Sequence, residues 1–188
     1  MFPPYFVIGA IFSGCSLVEI MLLLTRKAMK LNNIIEISHL EKLSKIILLC
    51  SLLILFFYLT EVFFVFYNGN PFEITIYKYR TSNGFIASTI IILFCNIIVP
   101  QLLWWNRLRT NPIILFAVSV CVLAGMWLER VVIVLSSMER SYLPMNWYGY
   151  FPSVFEISLL LGSFGFFLFC YLIIIRIVPS VSIYDNSN

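Results

Sequence analysis

The sequence predicts an all-α integral membrane protein with five transmembrane helices, four of them expected to form a helix bundle. Two observations carry this. Of 188 residues, 61% are hydrophobic and only 11% are charged, with a mean hydropathy of +0.98. A soluble domain carries about a quarter charged and roughly half apolar residues. In addition, five stretches reach the roughly 20 apolar residues that a helix needs to cross a hydrocarbon core of about 30 Å. Only helices and closed barrels satisfy their backbone groups in lipid.

The spans are expected near residues 5–25, 44–66, 85–105, 112–136 and 154–175, within a single membrane domain covering 1–188. The first has no basic segment before it, is too long for a signal-peptide core and precedes no small-residue cleavage site, so it reads as a retained helix. The second carries Glu61 near one end. The third contains Pro100, which frees a backbone carbonyl and should kink the helix. Asn96, one turn earlier, and the adjacent Gln101 are placed to rebuild the lost bonds or to line a wet cavity. The fourth carries Glu129 and Arg130, and Glu156 opens the fifth.

Basic residues set the orientation. Arg26, Lys27, Lys30, Lys42, Lys45, Arg107, Arg109 and Arg176 flank one side, against Lys78, Arg80 and Arg140 on the other. The positive-inside rule then puts the N-terminus outside and the C-terminus in the cytoplasm or matrix. Trp104 and Trp105 mark the inner interface, while Tyr67, Trp147, Tyr148 and Tyr150 mark the outer one. The aromatic, proline-rich segment 141–152 reads as an ordered outer loop able to dock a partner.

Several function classes fall away. Basic residues interrupted by long apolar runs make no nucleic-acid surface. Cys15, Cys50, Cys95, Cys121 and Cys170 stand singly, with no metal, iron–sulfur or haem-attachment spacing; they read as small hydrophobes. One histidine, His39, cannot make a bis-histidine haem site. The chain therefore binds no cofactor covalently and is not expected to be a self-sufficient enzyme. With no inverted repeat and no pair of Gly-broken helices, it does not read as a small transporter either.

The informative residues are ionisable groups at membrane depth: Glu19, Glu61, Glu129, Arg130 and Glu156. Insertion scales put each at roughly +2.5 to +3.5 kcal/mol at a helix centre, so they are expected to face the bundle interior. Four carboxylates share one intramembrane arginine. Glu129 and Arg130 point about 100° apart on their helix and so should each reach a neighbouring helix. Two readings stay open, a proton relay and a static ion-pair and hydrogen-bond network that fixes packing. His39, read as lying in the basic inner loop, is either a solvated residue or an inner proton donor.

Five stretches carry a family resemblance: Phe2-Pro-Pro-Tyr-Phe-Val with Gly9-Ala-Ile-Phe-Ser-Gly14; His39-Leu-Glu-Lys-Leu43; Phe94-Cys-Asn-Ile-Ile-Val-Pro-Gln-Leu-Leu-Trp104; Gly125-Met-Trp-Leu-Glu-Arg-Val-Val-Ile-Val134; and Leu143-Pro-Met-Asn-Trp147. Together they resemble the second half of the ActC-type membrane subunit of bacterial alternative complex III, within the wider NrfD/PsrC-like family. The resemblance implies a split subunit or a fragment in the bacterial inner membrane. It implies a complex that oxidises menaquinol or ubiquinol and passes electrons to iron–sulfur and multihaem cytochrome c subunits. The implied partners are the lipid bilayer, a first-half NrfD-like chain, those redox subunits, a second NrfD-like subunit of ActF type and a terminal oxidase. No quinol-site residue carries over. Glu129, Arg130, Glu61 and His39 match positions of the family's proposed proton path, and Glu156 sits where the family has an acidic residue. Glu19 joins them as a relay candidate from its depth alone. The alternative is a structural assembly subunit held by static buried charges.

Overall fold

The structure, a computed structural model, describes residues 2–28, 37–82, 85–138 and 153–177. Among the described residues there are helices and no strand. Five helical stretches are long and apolar enough to cross a membrane. Residues 1–138 form one compact unit and residues 139–188 a second.

In the first unit, α1 (Phe2–Ala28) and α2 (Ile37–Asn68) pack side by side. Gly69, at φ 61°, ends α2; an L side chain is disfavoured in that left-handed conformation. Pro71 then opens a short helix, α3 (Pro71–Ser82), whose first bond runs from Ile74 N–H to the Asn70 carbonyl at 3.1 Å. The connection before the third span thus contains a helical turn series as well as loop. Proline suits this first position because its missing N–H would have had no helical partner there.

The third span runs through three pitches. It is an α-helix over Ile86–Leu93 (α4), a π-turn over Phe94–Ile98 and a 3₁₀ helix over Val99–Trp104. Pro100 is the reason, since it offers no N–H to the carbonyl four residues back and its ring crowds that turn. The extended backbone of Trp105 (ψ 120°) breaks the helix, and a single turn, α5 (Asn106–Arg109), follows. Asn111 then caps α6 (Pro112–Met138). Its carbonyl accepts the first helical bond from Leu115 N–H at 3.0 Å, and its side-chain oxygen accepts from Ile113 N–H at 3.1 Å, which satisfies one of the donors a helix start leaves open.

α1, α2, the broken third span and α6 form a four-helix bundle. Phe12, Ile47, Ile54, Leu103, Leu115 and Val122 are fully enclosed, while Phe56, Leu59, Phe63 and Ile90 point outward. Lipid tails are as apolar as leucine, so burial alone does not drive such a bundle together. Close approach through small residues and interhelical hydrogen bonds do. The seams accordingly hold Ser16, Ser44, Ser51 and Ser119, all buried, and Gly125.

The second unit is described through α7 (Val154–Ile177). Glu156 accepts a 2.8 Å bond from Ser153 N–H, and Ser153 Oγ accepts from Glu156 N–H at 3.4 Å. Ser-x-x-Glu closing on itself is a capping box. The expected outer anchors Trp147, Tyr148 and Tyr150 lie outside the described residues.

Candidate functional site

Two buried carboxylates, set at different depths, organise the polar interior of the bundle. Glu19 of α1 is fully enclosed. Ser44 of α2 donates to its Oε1 at 2.7 Å, and Ser119 of α6 donates to its Oε2 at 2.7 Å. Three helices therefore meet on one carboxylate. Ser44 Oγ also lies 2.8 Å from the Leu40 carbonyl, yet a hydroxyl has one proton. An ionised Glu19 takes the protons of both serines. A neutral Glu19 donates its own proton to Ser44, which turns its hydroxyl to Leu40, while Ser119 still donates to the other oxygen. The same heavy-atom positions serve both forms.

Glu129 of α6 is buried at the second level. Tyr5 of α1 and Tyr58 of α2 both donate to its Oε1, Tyr58 at 2.7 Å. Asn96 of the π-turn offers its amide to Glu129 Oε2 and to the Tyr58 hydroxyl, each at 3.4 Å. All four spans of the bundle thus contribute to this cluster. Tyr5 also packs edge-on against Phe57, with ring centroids 6.0 Å apart.

The proline break feeds the cluster. The Asn96 carbonyl, deprived of a donor at position 100, accepts from Ser51 Oγ at 2.8 Å. Ser51 in turn accepts from Gln101 Nε2 at 3.5 Å, and Gln101 Oε1 accepts from Trp104 Nε1 at 2.7 Å. A polar strand of contacts thus runs from Glu129 through the break to the tryptophan at the far end. Asn96 Oδ1, buried, has no hydrogen-bond partner among the described residues. It sits against Gly125, where α6 passes so close that a Cβ would meet Cys95 Cβ at 2.6 Å and Asn96 Oδ1 closer still.

Not all the sequence expectations meet at this site. Glu19 and Glu129 do face the interior. Arg130 does not: it is exposed on α6, because Glu129 takes the inward direction and the next residue is turned about 100° away. Glu61 is half-buried one turn beyond Tyr58 on α2. His39 is exposed in the first turn of α2, on a helix and not in a loop. Glu156 closes the α7 capping box. Asn96 and Gln101 were expected to rebuild the lost bonds or to line a wet cavity; the freed Asn96 carbonyl is bonded by Ser51 from another helix. Tyr5, Tyr58, Ser44, Ser51 and Ser119 were not anticipated. Hydroxyls within apolar spans were the available signal, since each needs a partner in lipid.

At the end of the bundle where α5 meets α2, Arg109 reaches Glu41 at 2.9 Å, and Lys45 reaches the same carboxylate oxygen at 3.0 Å. This pins the turn after the broken span to α2.

The sequence signature described as "Polysulphide reductase, NrfD" matches residues 1–141. The chain belongs to the NrfD family. The match covers the whole four-helix unit, both carboxylate clusters included, and ends before α7. NrfD proteins are membrane subunits of respiratory oxidoreductases and work with iron–sulfur subunits in membrane complexes. No curated protein matches the chain.

Proposed function

We propose that this NrfD protein is a membrane subunit of a bacterial inner-membrane quinol:acceptor oxidoreductase resembling alternative complex III, and that its bundle carries protons for that complex. The observation behind this reading is the Glu19 site, whose heavy-atom arrangement with Ser44, Ser119 and the Leu40 carbonyl suits the neutral and the charged carboxyl alike. Groups that switch between neutral and charged at little reorganisation cost are what a relay requires. Glu129, held by two phenolic hydroxyls and an amide, is the second station. Glu61 and His39 extend the reading toward the two membrane faces, and Arg130 and Glu156 join it from the family pattern alone. The partners in this reading are a first-half NrfD-like chain, iron–sulfur and multihaem cytochrome c subunits, an ActF-type subunit and a terminal oxidase. The quinone, menaquinone or ubiquinone, and the metal centres are held by the complex.

The test is purification of the native complex in mild detergent, with mass spectrometry of its subunits and assays of quinol oxidation and proton release. Wild type is compared with Glu19→Gln and Glu129→Gln. Redox partners present, with proton release lost in both variants, is the expected result. Intact assembly with unchanged oxidation and proton release would make both carboxylates packing elements of a structural subunit. Purification without any redox partner would overturn the respiratory assignment.

A further inference from the structure

Arg130 raises a problem the carboxylate clusters do not solve. It lies in the candidate span Pro112–Ser136, six residues or about 9 Å short of its end. It is exposed, and apolar side chains beside it on α6 and α1 are exposed too: Trp127 by 40%, Val134 by 53% and Phe6 by 41%. A guanidinium facing hydrocarbon is costly wherever it cannot reach an anion or water. Its direction matters here. Helical side chains tilt toward the N-terminus of their helix, so Arg130 leans back toward Met126, deeper into the span. Together with Tyr5, Gly9, Met126 and Glu129 it lines a shallow crevice between α1 and α6. That crevice has room for about one water, too little for a lipid headgroup or a quinone ring to enter.

We infer that the α1–α6 face around Arg130 is a docking surface for a transmembrane helix of a partner chain, and that this helix presents a carboxylate to Arg130. Charge complementarity selects the occupant. The guanidinium fork matches a carboxylate in two parallel bonds, and the exposed Trp127, Val134 and Phe6 supply the apolar rim a helix needs. A lipid phosphate at the outer interface lies on the opposite side from the direction in which the side chain leans. The docked helix would also close the crevice and seal the Tyr5–Glu129 contact from lipid. This goes beyond the proposed function and stands without it.

The experiment places a photo-crosslinking amino acid at Trp127 or at Val134, with Arg130 intact, and irradiates native membranes. Mass spectrometry identifies the adducts. The expected product is a peptide from another chain's membrane helix that contains Asp or Glu. Arg130→Glu should then strip most of that chain from the purified complex, and exchanging the partner's acid for Arg should restore it; the rescue separates lost pairing from misfolding. Adducts confined to lipid, or to this chain itself, would overturn the inference. So would an Arg130→Glu variant that keeps its partner in full.

Discussion

Gly125→Ala tests the tightest joint in the bundle. The added methyl would lie 2.6 Å from Cys95 Cβ and closer still to Asn96 Oδ1. Asn96 can swing aside by giving up its amide contacts to Glu129 and Tyr58, but Cys95 Cβ is fixed to the backbone of the π-turn. The methyl therefore fits only if α6 and the broken span separate. Overpacking of this kind costs about 1–3 kcal/mol, and an anchored neighbour puts it at the upper end. Alanine returns about 1 kcal/mol of helix propensity, which the loss of the Asn96 contacts offsets at about the same size. About 3 kcal/mol remains, or a fall in Tm of roughly 6–12 °C for a chain of this length. Thermal unfolding of the purified protein in one detergent measures it. Gly14→Ala is the control, since nothing lies within 4 Å of its added Cβ, and it should hold or raise Tm. A Gly125→Ala protein as stable as Gly14→Ala would show that the two helices do not approach as described.

Other outcomes follow from the same contacts. Ser51→Ala should cost about 1–3 kcal/mol by stranding the Asn96 carbonyl, and much less in a Pro100→Ala background, where a backbone N–H returns; a double-mutant cycle in Tm reads that coupling. Ser44→Ala and Ser119→Ala should each lower Tm. Because both act on Glu19, the pair should be non-additive, and Glu19→Gln should shrink the effect of either; additive losses would mean the serines act elsewhere. Ser153→Ala should destabilise α7 by about 1 kcal/mol through its capping box, seen as faster amide hydrogen exchange in its first turn.

The number and type of the spanning helices were legible from composition and span length, because an apolar stretch of about 20 residues crosses lipid as a helix. Pro100 announced a break but not its remedy, since Ser51 lies 45 residues before the carbonyl it serves. Glu19 and Glu129 could be placed in the interior from the cost of charge in hydrocarbon. Their partners could not, because Tyr5 and Tyr58 read equally well as interfacial or packing aromatics. Arg130 shows the limit most clearly. The cost that drives a charge inward assumes that this chain provides its own interior, and a subunit of a larger assembly can leave that to a neighbour.

The two carboxylate levels also have an electrical meaning. Ser119, which holds Glu19, and Glu129 are ten residues apart on α6, about 15 Å at 1.5 Å per residue. That separation is about half the thickness of the hydrocarbon core. Moving one charge across a whole membrane takes about 2.3 kcal/mol per 100 mV. Transfer of a single charge between the two levels in a uniform field therefore takes about half of that. Under the proposed relay, the occupancies of Glu19 and Glu129 would shift against each other as the membrane is energised.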